Sequence, residues 1–206
     1  SFHVFTSDRR AGFHFIAEEM ARRENDVYFI TVGASPLSLL RNADRHAAAI
    51  AHGINRWRYI EKSNVNSYVL YTSYHPVNLR DKLLNGLTRR IFYNYGRCVK
   101  RIRRVIEDAD IVIFESALGL LFIPWIEKKP QARWIYRVSD DLPFLKPHPV
   151  LIDSELRALE YDVIDLVSCP SDPIADRLRK FSDKVRLQRH GIDMSSYDAC
   201  QTSPYR

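Results

Sequence analysis

The sequence predicts an α/β fold with a Rossmann-like, doubly wound and mostly parallel sheet. Two patterns alternate along its 206 residues: short β-branched and aromatic runs, and longer stretches with apolar residues at helical spacing. Several short runs are apolar at consecutive positions, which is typical of parallel strands covered on both faces. The predicted strands are residues 27–32, 68–72, 111–114, 134–138, 165–169 and 185–188.

Helices are predicted between these strands. The first has its apolar stripe in residues 13–21, with Ser7 or Asp8 as its N-cap. A strand at residues 56–60 is expected to pair with the strand at 68–72. The other predicted helices are residues 84–106, 117–128, 151–161 and 172–181.

The composition is that of one ordinary globular domain spanning residues 1–206. Hydrophobic residues make up 46% of the chain and charged residues 27%, which excludes wholesale disorder. No apolar run approaches the roughly 20 residues that a transmembrane helix needs. Cys98, Cys169 and Cys200 are far apart and lack ligand spacing, so neither a zinc site nor a disulfide framework is expected. We expect no metal and no cofactor.

The positive charge is concentrated in one segment. Residues 80–104 hold nine Lys or Arg and one acid, a net of +8, so the rest of the chain sums to −2 of the total +6. Such a run is either a solvated face, a site for an anionic membrane surface or a nucleic-acid site. We rank the membrane above nucleic acid because no nucleic-acid motif accompanies the run, and we expect Phe92, Tyr93 and Tyr95 at headgroup depth. The cations are Arg80, Lys82, Arg89, Arg90, Arg97, Lys100, Arg101, Arg103 and Arg104.

Polar residues that follow the predicted strands are the candidates for chemistry. In open α/β sheets the site lies beyond the carboxyl ends of the strands. Converging acids and bases at that edge suit a transferase that deprotonates a hydroxyl and holds anionic groups. The candidates are Glu115, Ser116, Ser139, Asp140, Asp141, Ser171, Asp172, His190 and Gly191, with Arg9, Arg10 and His14 at the first helix. No glycine-rich phosphate loop and no nucleophile elbow is present.

The carboxylates also have structural interpretations. Asp172 is expected to be a helix N-cap, and capping is an equal alternative for Asp140 or Asp141. Glu115 is expected to pair with Arg137 if their strands are neighbours.

The basic residues at the first helix are equally open to two interpretations. Arg9 and Arg10 belong either to a solvated turn or to an anion site, because cations at a helix N-terminus oppose the helix dipole. His14 lies beside the apolar stripe, where a histidine is more often a satisfied core residue than a functional one.

A set of short motifs, in order along nearly the whole chain, resembles GumK-like glucuronosyltransferases. Residues 7–16 contain RRA-x-x-HFI, and residues 113–116 read IFES where the family has VFES. The other matches are His75-Pro76, YRVSD at residues 136–140, DLVS at residues 165–168 and HGID at residues 190–193.

The resemblance implies the N-terminal half of a two-domain GT-B enzyme that inverts at the anomeric carbon without a metal. This half would bind a lipid-linked oligosaccharide at the cytoplasmic membrane face, and a C-terminal half absent from this chain would bind a UDP-sugar. Asp140 would be the catalytic base, although the position after it, small in the family, is Asp141 here. The family's first strand would lie just upstream of Ser1. Acceptor-binding roles would fall to Arg9, Arg10, His14, His75, Glu115, Ser116, Arg137 and Ser139, and His190 and Gly191 would lie at the interdomain cleft.

Other classes remain as alternatives. A non-catalytic α/β binding or regulatory module with a basic membrane- or nucleic-acid-binding helix would share this pattern. A receiver domain would need an acidic pair after its first strand, which Asp8 alone does not supply. A hydrolase would need a nucleophile motif.

Overall fold

The structure is a computed structural model that describes residues 3–41, 43–74, 85–115, 117–145 and 147–189. Strands and helices alternate through these residues, as predicted. The strands are β1 (Val27–Ala34), β2 (Trp57–Ile60), β3 (Val65–Tyr71), β4 (Ile111–Phe114), β5 (Arg133–Arg137), β6 (Leu166–Cys169) and β7 (Val185–Leu187). The helices are α1 (Gly12–Arg22), α2 (Ser38–Arg41), α3 (Ala43–His52), α4 (Asn85–Arg97), α5 (Arg103–Asp108), α6 (Ala117–Leu120), α7 (Leu142–Leu145), α8 (Pro149–Glu160) and α9 (Asp172–Leu178).

The described strands form two hydrogen-bonded sets. One set has the order β1-β3-β2, with β1 and β3 parallel; the other is fully parallel in the order β4-β5-β6-β7. The α/β class with a parallel sheet is therefore confirmed, although these strands do not join into one continuous sheet. The expected β2–β3 pairing is also confirmed, with Trp57 opposite Tyr68 in antiparallel register.

The two central strands of the four-stranded set carry its most deeply buried side chains. Trp134 and Tyr136 are each 1% exposed, and Val167 is fully buried. They belong to one core cluster with Ala158 of α8 and Leu178 of α9. Burying a side chain of this size is worth about 1.5–3 kcal/mol, so this layer is the main support of the strand ends that carry the candidate site.

The predicted helix at residues 84–106 is divided in the described part. A 3-10 segment, Cys98–Arg101, separates α4 from α5, and nothing local in the sequence accounts for the break. The expected headgroup position of the aromatics is wrong for Phe92 and Tyr95, which are 1% and 0% exposed. The Tyr95 hydroxyl accepts a hydrogen bond from the Gly33 N–H at 2.8 Å, and burial raises the pKa of this phenol.

Two helix predictions are corrected. The expected helix at residues 117–128 ends at Leu120 and is followed by a 3-10 turn, Ile123–Trp125, because Pro124 has no N–H to donate. The N-cap of α1 is Ala11 and not Ser7 or Asp8, since the Ser7 hydroxyl closes a turn by donating to the Val4 carbonyl at 2.8 Å.

Asp172 does not hold the N-cap position of α9. That position belongs to Ser171, and Asp172 is the first residue inside the helix. A carboxylate in the first turn still interacts favourably with the helix dipole.

A buried charged network joins β5 to α8 and α9. Glu155 is fully buried; it accepts hydrogen bonds from the Tyr136 hydroxyl and from Arg177 Nη1, both at 2.8 Å. Burial, followed by the charge of Glu155, raises the pKa of Tyr136 well above its ordinary value. Burial lowers the pKa of Arg177, but the bond to Glu155 together with the negative charges of Glu155 and Asp141 more than offsets this, so that the pKa is raised. Arg177 is the compensating cation that lets Glu155 occupy this core.

We predict that Gly96→Ala destabilises the protein by about 1–3 kcal/mol, the usual cost of overpacking. A Cβ at Gly96 would lie 2.6 Å from the Leu121 carbonyl oxygen and 2.9 Å from Trp125 Nε1. The control is Gly86→Ala in the same helix, where a Cβ meets nothing within 4 Å. Alanine's helix propensity there should leave stability unchanged or raise it by up to about 1 kcal/mol. Urea unfolding measures both; equal midpoints for the two variants would contradict the packing described.

We predict that Arg177→Met lowers the free energy of unfolding by about 3–5 kcal/mol, because it leaves the Glu155 charge buried without its partner. The control is Arg179→Met at the C-cap of the same helix, which removes only the exposed pair with Asp176. That change should cost less than about 1 kcal/mol. Urea unfolding at neutral pH distinguishes the two, and equal losses would mean that Glu155 does not depend on Arg177.

Candidate functional site

The first part of the site lies where β4 and β5 end. Phe114 pairs with Tyr136 in the parallel register, so the residues that follow, Glu115 and Arg137, are adjacent. Their side chains form an ion pair at 3.8 Å and are largely buried, with 11% and 17% exposed. The Ser139 hydroxyl donates to the Glu115 carbonyl at 3.5 Å. The predicted Glu115–Arg137 pair is therefore confirmed.

Arg137 also touches the beginning of α1. A Cβ added to Gly12 would lie 3.1 Å from Arg137 Nη2, so glycine at this position allows the guanidinium to approach the helix. The guanidinium lies 5.9 Å from the centre of the Phe13 ring. Arg137 thus connects the end of β5 to the helix that follows the Arg9 loop.

The two acids after β5 have different environments. Asp141 Oδ1 lies 2.9 Å from Arg177 Nε, a contact held by charge and not by an aligned hydrogen bond. The Asp141 carbonyl accepts from the Leu145 N–H at 3.1 Å and so begins α7. Asp140 is exposed, and no cation in the described part of the chain forms an ion pair with it. Of the two carboxylates, Asp140 is the more exposed and has no ion pair in the described part of the chain, whereas the Asp141 side chain is 36% exposed and paired.

His14 is a core residue. Its side chain is fully buried, and its ring lies 5.6 Å from that of Phe5 and 5.0 Å from that of Phe29. Nδ1 accepts from the Ala11 N–H at 3.1 Å, which leaves Nε2 to donate to the Val4 carbonyl at 3.2 Å. A buried ring with both nitrogens engaged does not present itself to a ligand. His14 instead fixes the loop before α1.

The two arginines that precede α1, Arg9 and Arg10, have different environments. Arg10 pairs with Glu18 at 2.7 Å and lies 5.2 Å from the Phe15 ring, along the flank of the helix. Arg9 is exposed. Burial lowers the pKa of His3, and the positive charges of Arg9 and Arg45 lower it further. The charge of Glu115 acts on His3 in the opposite direction but is outweighed by the two arginines, and we call this the electropositive region.

Arg45 is a functional candidate that the sequence analysis missed. It lies on α3 and donates to the Val32 carbonyl at 2.7 Å, near the carboxyl end of β1. Burial lowers the pKa of Arg45. A sequence signal was present, because Arg45 stands four residues before Ala49, one helical turn away in an alanine-rich run, and the structure shows Ala49 fully buried. An arginine on the buried face of an alanine-rich helix indicates a charge directed inward.

Four predicted site residues lie outside the described residues: His75, Ser116, His190 and Gly191. Among the residues that are described, no group of three His, Cys, Asp or Glu side chains could hold a metal ion. The described site thus consists of one accessible carboxylate beside an anchored one, the Glu115–Arg137 pair, and an electropositive region near His3.

The basic segment forms an exposed surface on and after α4, which we call the basic face. Five of its cations are exposed without an acidic partner in the described part: Arg89, Arg90, Arg97, Lys100 and Arg101. Arg103 and Arg104 pair with Glu107 and Asp108 at 2.6 and 3.6 Å. Arg80 and Lys82 lie outside the described residues.

Apolar and aromatic side chains accompany the basic face. Tyr93 is 56% exposed and packs edge-to-face on Trp125 with ring centres 5.0 Å apart. The Phe92 ring lies 4.9 Å from that of His148, which brings α4 next to the segment that follows α7. On α7, Phe144 is 81% exposed. None of the described helices is both long enough and apolar enough to cross a bilayer.

Three comparisons with known proteins relate this chain to glycosyltransferases. A family model described as the glucuronosyltransferase GumK, N-terminal domain, matches residues 1–170. A UDP-glucuronate:glycolipid 2-beta-glucuronosyltransferase from Xanthomonas campestris pv. campestris is 28% identical over 209 residues, covering 100% of this chain and 50% of that protein. This chain therefore spans about half the length of that relative.

A similar solved structure is a sucrose-phosphate synthase from Thermosynechococcus elongatus. It has a TM-score of 0.56 at 13% identity, covering 98% of this chain and 92% of the other, and this likeness shows the fold alone. Together with the ordered motifs at the strand ends, the family match over most of the chain settles the classification: this chain belongs to the family of GumK glucuronosyltransferase N-terminal domains.

Proposed function

We propose that the full-length protein transfers glucuronate from UDP-glucuronate to a polyprenyl-diphosphate-linked oligosaccharide in exopolysaccharide synthesis, inverting the anomeric carbon without a metal. This chain would be the acceptor-binding domain. Family membership and the glycolipid glucuronosyltransferase relative support the reaction class. The observation that carries the catalytic assignment is the contrast after β5, where Asp141 is paired with Arg177 and Asp140 is exposed.

Asp140 acts in this proposal as the general base. Its carboxylate takes the proton of an acceptor hydroxyl while the hydroxyl oxygen forms a bond to the anomeric carbon. The bond from that carbon to the UDP oxygen breaks, and UDP leaves with the electron pair. Attack from the face opposite the leaving group inverts the configuration. The UDP-binding half of the cleft would come from the donor domain.

The electropositive region near His3 would hold the acceptor diphosphate. Arg9 is exposed there, and Arg45 adds a second positive charge that acts on His3. Arg10 would act at a distance, because Glu18 already pairs with it, and His14 would act by fixing the loop. The other proposed acceptor-side residues are His75, Glu115, Ser116, Arg137 and Ser139, with His190 and Gly191 at the interdomain cleft.

The basic face would bind the anionic surface of the membrane that holds the lipid-linked acceptor. Each cation near an anionic leaflet contributes about 1 kcal/mol. The exposed Tyr93 and Phe144 could insert at headgroup depth, where aromatic rings are favourable. Because α7 follows directly after Asp141, this arrangement would put the acceptor's sugar close to Asp140 while its lipid remains in the bilayer.

We predict that Asp140→Asn in the full-length protein lowers kcat by about 10²–10⁴-fold, the usual contribution of a general base. Asparagine keeps the shape of the side chain but cannot accept the proton. The assay measures transfer to membrane-extracted polyprenyl-linked oligosaccharide from a panel of UDP-sugars, and the panel identifies the donor.

The matched control for this measurement is Asp141→Asn, which should change kcat far less because Asp141 is occupied by Arg177. Circular dichroism verifies that both variants fold. A severe loss in Asp141→Asn together with a mild effect of Asp140→Asn would reverse the assignment of the base.

We predict that Arg89→Glu combined with Arg90→Glu abolishes flotation with anionic vesicles, since the pair of changes reverses two charges of the basic face. Arg179→Glu combined with Lys180→Glu, the same charge change just after α9, should leave flotation unchanged. Binding to duplex DNA is measured at the same salt concentration. Tighter, sequence-dependent binding to DNA would contradict the membrane assignment.

A further inference from the structure

Two half-buried side chains, His46 and Tyr71, form a hydrogen-bonded pair outside the site described above. His46 lies on α3, and Tyr71 is the last residue of β3, which is parallel to β1. His46 Nε2 lies 3.1 Å from the Tyr71 hydroxyl, and the two rings meet edge to face with their centres 5.9 Å apart. Open α/β sheets bind their ligands beyond the carboxyl ends of parallel strands. The pair therefore lies at the edge of the sheet where a ligand is expected.

The backbone that carries this pair departs from a regular ladder. The register of β1 against β3 shifts between Thr31 and Ala34, and Gly33 has a φ of 78°, in the left-handed region. Irregularities of this kind are common beside binding sites, where they redirect a side chain. Asn55 Oδ1 accepts from the Tyr71 N–H at 3.0 Å, and Asn55 Nδ2 donates to the Tyr71 carbonyl at 2.9 Å. Because Asn55 holds the Tyr71 backbone, the phenol hydroxyl is not needed to fix the end of the strand.

Both side chains of the pair can form a further hydrogen bond. Within the residues that the structure describes, the bond to Tyr71 engages Nε2 of His46 and leaves Nδ1 without a protein partner. A neutral imidazole has one donor nitrogen and one acceptor nitrogen, so Nδ1 takes whichever role Nε2 does not take toward Tyr71. A phenol hydroxyl both donates and accepts. Groups that can do either match the hydroxyls of a sugar, which also donate and accept.

The surroundings of the pair add a positive charge and aromatic surface. Arg45 directly precedes His46, and its charge acts on His3, where the acceptor diphosphate is proposed to bind. After β3, Tyr74 is 41% exposed, and its carbonyl accepts from the Thr72 hydroxyl at 2.6 Å, which fixes the turn. A tyrosine offers an apolar ring face together with a polar tip, a combination that fits the C–H face and the hydroxyls of a sugar.

We propose that His46 and Tyr71 bind a sugar unit of the acceptor, next to its diphosphate, through the hydroxyls of that sugar. This inference rests on the proposed function, because it names the residues that recognise the glycan part of the acceptor. The imidazole and the phenol each form a hydrogen bond with the sugar, and the Tyr74 ring packs against it. The pair takes no part in making or breaking bonds. It therefore determines how tightly the acceptor binds and not how fast the bound acceptor reacts.

The test measures sugar binding to the full-length protein by calorimetry, without any UDP-sugar. The probe is the oligosaccharide that mild acid releases from the membrane-extracted lipid carrier. We expect Tyr71→Phe, which keeps the ring, to raise the Kd about 3–10-fold, the effect of one net hydrogen bond. The control is Tyr59→Phe on β2, which removes a hydroxyl that donates to Asn64 Oδ1 at 2.5 Å, and it should leave the Kd unchanged. An unchanged Kd in Tyr71→Phe, an equal rise in both variants, or no binding to the unaltered protein at millimolar concentration would overturn the proposal.

A second arm of the experiment measures transfer to the intact lipid-linked oligosaccharide. We expect His46→Ala and Tyr71→Phe to raise the KM for the acceptor about 3–10-fold, with kcat within twofold and the KM for the UDP-sugar unchanged. A fall in kcat at an unchanged acceptor KM would contradict a binding role, and a lower Tm with unchanged KM would assign the pair to stability alone. If no UDP-sugar supports transfer, the proposed function fails, whereas the calorimetry still decides whether the pair binds the sugar.

Discussion

A carboxylate buried in an apolar core needs a compensating positive charge. Arg177 supplies this charge for Glu155, and the arrangement of the residues that follow β5 depends on it. Glu155 is fully buried beside Tyr136, and Arg177 bonds to it from α9. The same guanidinium holds Asp141 at 2.9 Å. Arg177, which compensates the buried charge of Glu155, therefore also pairs with Asp141, one of the two acids that follow β5. Asp140 is left exposed at the edge of the sheet where α/β proteins bind their substrates.

Most of the fold could be predicted because parallel strands covered on both faces produce runs of apolar residues. Such runs located β4 at its observed bounds and β5 within one residue at each end. Helices were harder where local and tertiary effects compete. Pro124 ends the helical pattern after α6, although the sequence remains apolar there. The 3-10 segment between α4 and α5 has no local signal, since the buried positions Tyr95, Val99 and Ile102 keep helical spacing across it.

The candidate site was predictable only where strand register determines neighbours. Glu115 and Arg137 follow adjacent parallel strands, so their pairing could be expected from the sequence. The burial of His14 depends on Phe5 and Phe29, which are distant in sequence or outside the helix pattern. The role of Arg177 depends on how α9 lies against α8, which is tertiary information that no spacing in the sequence carries. The contact between Arg177 and Asp141 is what distinguishes Asp141 from Asp140, and it could not be predicted from the sequence.

The central claim is that the exposed carboxylate, and not the anchored one, meets the acceptor. The most direct test is a structure of the full-length protein with an acceptor analogue and UDP bound. The account predicts the reacting hydroxyl within about 2.6–3.2 Å of the Asp140 carboxylate, the reach of a general base, with Arg177 still between Glu155 and Asp141. A hydroxyl bonded to Asp141, with Arg177 displaced from it, would contradict the account.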